Sequence, residues 1–250
     1  MHADVLPSLP PSPALLLTEP LRAAADLGLL APAAPWLLTA PRGDGHPVLV
    51  LPGLFGDDAY TAPLRAYLRT QGFDPQPWGQ GTNWGRWAAL EHVVAPLVER
   101  LHARTGRKVS VVGASMGGLY ARAVARLLPH KVRCVVTLAS AVRKPGYANH
   151  VWPVYQGVTA DDGDSLYVPP VDGVPSTSAY SRADGLSNWR PCLQPDGPLA
   201  ENVELVTSHL GMILHPSAFY LVADRLAQPE GNWQPFQPPT AARMFYPATA

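Results

Sequence analysis

A serine between glycines is the clearest candidate for chemistry in this sequence. Residues 109–120 read VSVVGASMGGLY, and Gly113, Ser115 and Gly117 match the pattern G-x-S-x-G. Between a buried strand and a helix, this pattern makes a sharp turn that holds the serine hydroxyl above the carboxyl end of a sheet, where ligands bind. A mostly apolar, strand-like run precedes Ser115 and a helical pattern follows it, as this turn requires. The alternative is a glycine-rich turn in which Ser115 only caps a helix.

A nucleophilic serine needs a base, and the base needs a carboxylate to orient it. In this arrangement the carboxylate and then the histidine follow the serine, each beyond a later strand. His209 directly follows the strand-like segment NVELVTS and is the predicted base, with His215 at a helix start as its rival. Asp184 follows the strand-like segment STSAYS and is the predicted acid. Asp172 and Asp196, in loops rich in proline and glycine, are the alternatives.

Negative charge on an acyl oxygen needs two backbone N–H donors, an oxyanion hole. The residue after the serine, Met116, should supply one donor. The loop after the apolar run Val48–Leu51 should supply the other, with Leu54 the predicted donor and Phe55 its alternative. The candidate substrate-pocket residues are four aromatic side chains, each of which could equally belong to an ordinary core: Phe55, Trp84, Trp152 and Tyr155.

Short apolar runs that alternate with helical patterns predict an α/β fold, a mostly parallel sheet with helices on both faces. Strands are predicted at residues 48–51, 73–78, 109–112 and 132–138 and in STSAYS and NVELVTS. Helices are predicted at residues 14–30 (interrupted at Pro20), 61–71, 87–105 (kinked at Pro96), 119–128 and 215–226.

One large domain is predicted at residues 47–230. A Pro- and Ala-rich extension with short helices precedes it at residues 1–46, and its role does not follow from the sequence. A Pro-rich tail follows at residues 231–250. Residues 143–175 lack a regular pattern and are rich in aromatic residues, so we expect them to form a cap, or lid, over the site.

The charges of the chain argue against several classes of partner. Nineteen basic residues balance nineteen acidic ones over 250 residues, without long runs of one sign. The basic surface needed to bind nucleic acid or an anionic membrane is therefore not expected. No apolar stretch approaches the length of about 18 residues that a transmembrane helix needs. The N-terminus lacks the basic start of a secretory signal, so we expect a soluble, cytoplasmic protein.

No metal or organic cofactor is expected. Cys134 lies in an apolar run, which predicts a core position, and Cys192 is distant from it in sequence. The chain has no CxxC or HExxH pattern of the kind that binds zinc. The acidic stretch at residues 161–164 does not match the spacing of a calcium-binding EF-hand loop.

The sequence resembles the α/β-hydrolase superfamily and, within it, bacterial esterases and lipases of the triacylglycerol-lipase type. Four segments between residues 47 and 226 carry the resemblance in the same order: VLVLPGLFG, VVGASMGGLYAR, YSRADG and SHLGM. The resemblance implies Ser115 as nucleophile, Asp184 as acid and His209 as base. Two features depart from the family pattern. Pro52 stands where such lipases often have histidine, and Gly-Leu-Ser-Asn-Trp follows Asp184 where relatives often have valine-rich sequence.

Together these features predict hydrolysis of a neutral, lipophilic carboxylic ester through an acyl-enzyme intermediate. The same residues could instead act on a thioester or an amide, or transfer the acyl group to another acceptor, because the pocket decides the substrate. A binding module without catalysis is the third hypothesis. The ordered presence of serine, aspartate and histidine argues against it.

Overall fold

The computed structural model of the protein describes residues 9–142, 149–159 and 168–247. Within these residues, six parallel strands form one sheet. Their bounds are Pro47–Leu51 (β1), Asp74–Gln76 (β2), Val109–Ala114 (β3), Val132–Leu138 (β4), Ser176–Tyr180 (β5) and Ala200–Glu204 (β6). The strand order across the sheet is β2-β1-β3-β4-β5-β6. The predicted parallel α/β class is confirmed.

Helices connect and flank the strands. The α-helices of the described residues are Pro13–Gly28 (α1), Leu30–Leu37 (α2), Asp58–Thr70 (α3), Ala95–Thr105 (α4), Met116–Leu127 (α5), Trp152–Thr159 (α6) and Pro216–Ala227 (α7). A π-helical turn at Leu90–Val94 precedes α4. Short 3-10 turns lie at Arg190–Cys192, Met212–Leu214 and Thr240–Phe245.

The central strands β1 and β3 are buried on both faces, which explains why β1 is apolar throughout and β3 carries one polar residue, Ser110. Alternate side chains of β1 face opposite layers. Val48 and Val50 pack in a core with residues of α3 and α7. Leu49 and Leu51 pack in a second core with residues of α4 and α5. Helices thus cover both faces, and the carboxyl ends of the strands meet at one edge.

The register of the sheet aligns the loops that follow the strands. Leu51 pairs with Gly113, and Ala114 pairs with Leu138, so β1, β3 and β4 end side by side. Tyr180, the last residue of β5, pairs with Glu204, the last residue of β6. The segments that contain Ser115, Asp184 and His209 therefore leave the same edge of the sheet.

Several helices differ from their predicted form, since α2 was not predicted as a separate helix and α3 begins at Asp58 rather than Thr61. Three of the differences show how tertiary contacts override local sequence preferences. The α1 helix continues through Pro20, and contacts of its buried side chains with later loops stabilise it. The predicted helix at 87–105 begins as the π-helical turn. Pro96 then lies in the first turn of α4, where a missing N–H costs little, and it marks a helix start rather than a kink. The α5 helix begins at Met116, earlier than predicted.

The segment predicted as a cap is partly described. It contains α6, whereas residues 143–148 and 160–167 lie outside the described residues. The tail predicted at residues 231–250 contains a 3-10 turn, and its Phe236 and Tyr246 are buried in the core with α7. Cys134 and Cys192 are free and buried, as predicted for Cys134. No helix in the described part of the chain is long and apolar enough to cross a membrane.

Candidate active site

Ser115 lies in a strained turn between β3 and α5. Its φ is 48° and its ψ is −117°, a backbone conformation that residues other than glycine rarely adopt. A Cβ on Gly113 would lie 2.2 Å from the carbonyl oxygen of Gly117, and one on Gly117 would lie 2.4 Å from that of Leu51. Both glycines are therefore required for the close approach of strand and helix. The Ser115 N–H donates to Leu138 O at 2.8 Å, which ties the turn to β4.

Asp184 and His209 form a hydrogen-bonded pair beyond the adjacent strands β5 and β6. His209 Nδ1 donates to Asp184 Oδ2 at 2.6 Å. The other carboxylate oxygen accepts from the N–H groups of Leu186 at 2.8 Å and Ser187 at 2.7 Å. These bonds fix the buried carboxylate. They leave His209 Nε2 as the ring nitrogen available for other partners.

The environment of His209 favours the imidazolium form. Burial alone lowers the pKa of His209, because it penalises the charged ring. The negative charge of Asp184, its hydrogen bond to the ring and the negative charge of Glu19 outweigh burial, so the net pKa is raised above its ordinary value. A proton taken up by this ring is therefore stabilised.

A cavity of about 460 Å³ lies at the carboxyl edge of the sheet and is lined by both Ser115 and His209. The structure thus brings Asp184 and His209 into contact and places Ser115 on the same cavity as His209. Among the described residues, no hydrogen bond joins Ser115 Oγ to His209. Most of the remaining lining is apolar, and it includes Leu54, Phe55, Met116 and Tyr155 from the predicted site.

Two of the predicted pocket residues are not placed in this lining. Trp84 is half exposed, and its ring packs edge-on against Phe55 with 5.8 Å between ring centroids. Trp152 is the first residue of α6, and its side chain lies outside the described part of the structure.

The alternatives to Asp184 and His209 lie elsewhere. His215 is buried and caps α7, since its Nδ1 accepts from the Ser217 N–H at 3.1 Å. Burial lowers the pKa of His215, despite the opposing charge of Asp26. Asp172 and Asp196 are exposed. The geometry therefore favours Asp184 and His209 over all three.

The loop after β1 runs alongside Ser115. A Cβ on Gly53 would lie 3.2 Å from Ser115 Cβ. The Phe55 N–H donates to Asn83 O at 2.7 Å, so it is already engaged. Within the described residues, the N–H groups of Leu54 and Met116 have no hydrogen-bond acceptor. These are the two donors that the sequence predicts for an oxyanion.

Asn83 holds this loop, and the sequence interpretation missed it. Its side chain is buried and donates from Nδ2 to Pro52 O at 2.8 Å, while Oδ1 accepts from the Gly85 N–H at 3.0 Å. Its N–H also donates to Gly56 O at 2.8 Å. Asparagine is common in turns of every kind, so its presence in TNWG carries no specific signal.

A buried arginine supports the wall of the cavity at the end of β4. Arg122 donates to the carbonyl oxygens of Ser140 at 3.2 Å and Ala141 at 3.1 Å, and to Thr137 Oγ1 at 2.7 Å. Burial lowers the pKa of Arg122 to about 10, which still leaves it charged near neutral pH. This residue also escaped the sequence interpretation, because it lies in a helix that was identified only by its apolar residues.

A second Ser-His-Asp arrangement lies near the opposite, amino-terminal edge of the sheet. His46 Nδ1 lies 2.6 Å from Asp44 Oδ1, and His46 Nε2 lies 3.0 Å from Ser110 Oγ. Burial lowers the pKa of His46, with help from the positive charge of Arg133, and the opposing influence of Asp44 is weaker. Both His46 and Ser110 are fully buried, so a substrate has no access to them. The arrangement joins the starts of two strands and is structural.

Metal-binding side chains are not clustered in the described residues, where no group of three or more His, Cys, Asp or Glu is placed to hold an ion. The sequence matches no family model, and no curated protein matches it either.

Solved structures share the fold at low sequence identity. Aspergillus fumigatus lipase B matches 75% of this chain with a TM-score of 0.57 and 18% identity, and this chain covers 54% of that lipase, about half its length. The α/β hydrolase MGS-MChE2, from a sediment metagenome of the Mar Chica lagoon, matches 72% of this chain and 90% of its own, with a TM-score of 0.51 and 19% identity.

The mature lipase BlEst2 of Bacillus licheniformis matches 75% of this chain and 94% of its own, with a TM-score of 0.54 and 15% identity. The chain therefore has the α/β-hydrolase fold. This confirms the fold that the sequence resemblance implies.

Proposed function

We propose that this protein is a serine hydrolase of carboxylic esters, with Ser115 as nucleophile, His209 as base and Asp184 as the acid that orients the base. The observation that carries the proposal is the fixed Asp184–His209 pair, bonded at 2.6 Å, beside a cavity that the strained turn of Ser115 also lines. Backbone strain of this kind costs free energy and is typical of functional turns.

The first half of the reaction forms an acyl-enzyme. Ser115 Oγ attacks the ester carbonyl carbon while its proton passes to His209 Nε2. Asp184 stabilises the resulting imidazolium, in keeping with the raised pKa of His209. The N–H groups of Leu54 and Met116 donate to the carbonyl oxygen as it becomes negative. The bond from carbon to the leaving oxygen then breaks, and His209 protonates the departing alcohol.

The second half restores the enzyme. A water molecule attacks the acyl carbon and gives a proton to His209, and the bond to Ser115 Oγ then breaks as His209 returns the proton to that oxygen. The carboxylic acid leaves. The mechanism requires His209 Nε2 to reach Ser115 Oγ, and catalytic hydrogen bonds of this kind tighten as substrate binds.

The cavity supports a neutral, lipophilic ester as the substrate. Its volume of about 460 Å³ suits a small molecule, and apolar side chains form most of its wall. Among the described residues that line it, no Lys or Arg is present to bind an anionic substrate. Asp57 lies on the lining, but its carboxylate accepts from the N–H groups of Ala59 at 3.0 Å and Tyr60 at 3.1 Å at the start of α3. Several of the structural neighbours are described as lipases.

Steady-state hydrolysis of p-nitrophenyl esters from acetate to palmitate tests the proposal. We expect turnover by the wild-type protein and loss of about 10⁶-fold in kcat in Ser115→Ala, with the fold unchanged by circular dichroism. A maximum at short acyl chains would define an esterase, and one at long chains a lipase. Folded wild-type protein that hydrolyses none of these esters would refute the proposal. Faster cleavage of a matched thioester or anilide would reassign the bond that is cleaved.

A further inference from the structure

One face of α1 packs against the two loops that contain Asp184 and His209. Four residues share this face because they are spaced by four, three and four positions along the helix: Leu15, Glu19, Arg22 and Asp26. We call this set the α1 stripe. A Cβ on Gly185 would lie 2.4 Å from Leu15 O, so the backbone of α1 directly contacts the residue after Asp184. The opposite face exposes Leu17 and Leu21.

Glu19 bridges the two loops with one carboxylate. Its side chain is 1% exposed. Oε1 accepts from the N–H groups of Gly185 at 2.7 Å and His209 at 3.0 Å, and Oε2 accepts from the Leu210 N–H at 2.9 Å. Arg22 Nη2 donates to Oε1 at 2.9 Å. The carboxylate therefore binds the backbone next to Asp184 and the backbone of His209 itself.

The flanking residues of the α1 stripe bind the same two loops. Arg22 Nη1 donates to Ala183 O at 2.6 Å, immediately before Asp184. Asp26 Oδ2 accepts from Thr207 Oγ1 at 2.7 Å and from Ser208 Oγ at 3.1 Å, immediately before His209. The helix thus contacts residues on either side of both members of the pair.

We propose that Glu19 is a positioning residue of the active site: its carboxylate fixes the separation and orientation of the loops that hold Asp184 and His209. This inference rests on the proposed function. An ionised carboxylate is expensive to bury, and an apolar side chain would join a helix to a sheet edge at lower cost. Glu19 is placed where its acceptors match three backbone donors of the two loops. That match determines the geometry of the pair, beyond simple attachment of α1.

The charge of Glu19 provides a readout that a purely structural role does not change. It raises the pKa of His209 together with Asp184, although burial opposes both. The other charged or titratable groups that face this loop are Asp26 and Arg22 from α1 and Tyr60 from α3, whose hydroxyl donates to Leu210 O. Loss of the Glu19 charge should therefore lower the pKa of His209, and loss of the Arg22 charge should raise it.

The test compares Glu19→Gln with Glu19→Asp and with the control Glu99→Gln, whose exposed carboxylate pairs with Lys131. Glutamine keeps the size but places an amide N–H₂ against one of the backbone donors. We expect kcat on a p-nitrophenyl ester to fall about tenfold to hundredfold, with KM changed less than about threefold, because small misplacements cost this much. The acid limb of the kcat/KM profile should move to lower pH. Glu19→Asp keeps the charge and loses reach, so kcat should fall while the acid limb moves less.

Arg22→Gln keeps the proposal testable if Glu19→Gln does not fold. It leaves Glu19 in place and should move the acid limb in the opposite direction, to higher pH. An NMR titration of the His209 ring, assigned with His209→Gln, measures the same pKa changes in the full chain without any substrate. If the wild-type protein cleaves no ester, the proposed function fails, and this titration still decides the role of Glu19.

The proposal is overturned if folded Glu19→Gln keeps wild-type kcat, or if the His209 pKa stays unchanged in both Glu19→Gln and Arg22→Gln. A loss of kcat with unchanged KM and an unchanged His209 pKa, in proportion to a fall in Tm, would assign Glu19 to stability alone. Glu99→Gln should match the wild type in every measurement.

Discussion

Replacing Asn83 with alanine removes both side-chain hydrogen bonds that hold the loop after β1. In the wild type, Asn83 Nδ2 donates to Pro52 O at 2.8 Å and Asn83 Oδ1 accepts from the Gly85 N–H at 3.0 Å. In the variant, both backbone groups lose these partners. The Pro52 carbonyl is next to the turn of Ser115, since a Cβ on Gly117 would lie only 2.7 Å from Pro52 O. The loop contains Leu54, the proposed oxyanion donor.

The size of the effect follows from the number of groups that are affected. A buried polar group left without a partner costs about 1–3 kcal/mol, so two such groups should lower the free energy of unfolding by about 2–6 kcal/mol. The backbone bonds of Asn83 to Phe55 and Gly56 remain, which keeps the loop close to its place. Loss of a whole oxyanion donor costs about 10²–10³ in kcat. Partial misplacement of Leu54 should therefore cost about tenfold to hundredfold.

Asn202→Ala is the matched control for this variant. Its amide makes the same two kinds of bond, donating to Gln194 O at 3.0 Å and accepting from the Gln194 N–H at 2.9 Å, but it joins β6 to the segment before that strand, away from the cavity. Urea unfolding and ester kinetics are measured for both variants. Stability should fall in both, and kcat should fall only in Asn83→Ala. A kcat within twofold of wild type in Asn83→Ala, or an equal loss in Asn202→Ala, would refute the reasoning.

Three further predictions address the pair, the turn and the second Ser-His-Asp arrangement. The reaction needs neutral His209, whose pKa is raised, so the acid limb of the kcat/KM profile should lie above pH 6.5 in the wild type. In Asp184→Asn the acid limb should lie at lower pH, and an unshifted limb would exclude the pairing of Asp184 with His209. In thermal unfolding, Gly117→Ala should lower the free energy of unfolding by at least about 2 kcal/mol, because the new Cβ would lie 2.4 Å from Leu51 O. The control Gly157→Ala, in open space in α6, should be neutral or stabilising by up to about 1 kcal/mol. Ser110→Ala should lower the free energy of unfolding by about 1–3 kcal/mol through the unpaired His46 ring, and kcat within twofold of wild type would distinguish this buried serine from Ser115.

The fold was predictable because its signals are local and repeated. Apolar runs mark strands buried on both faces, and their alternation with helical patterns predicts a parallel sheet. The choice of Asp184 and His209 used one further fact, that the carboxyl ends of parallel strands share an edge. The structure places both on that edge and bonds them, whereas His215 caps a helix. Their catalytic roles, and that of Ser115, stay predictions for the kinetic tests above.

The residues that support the site were not predictable, because their partners are distant backbone groups. Glu19 binds N–H groups more than 160 residues away, and Asn83 and Arg122 bind carbonyl oxygens of loops. Because nearly all residue types have the same backbone N–H and C=O groups, the sequence does not indicate which of these groups a side chain will bind. The α1 helix also contradicts the usual rule of amphipathic helices, since it buries Glu19 and exposes Leu17 at 80%.

The position of α1 also has a consequence for how the protein is made. Glu19 leaves the ribosome well before two of its partners, Gly185 and His209, which lie 166 and 190 residues later in the chain. At about 5–20 residues per second, synthesis of that interval takes about 10–40 s. A helix of this length with an internal proline is marginal in water without its tertiary partners. The α1 helix therefore acquires these stabilising contacts from loops that are synthesised much later, and the site takes its final shape only after the loop of His209 has been made.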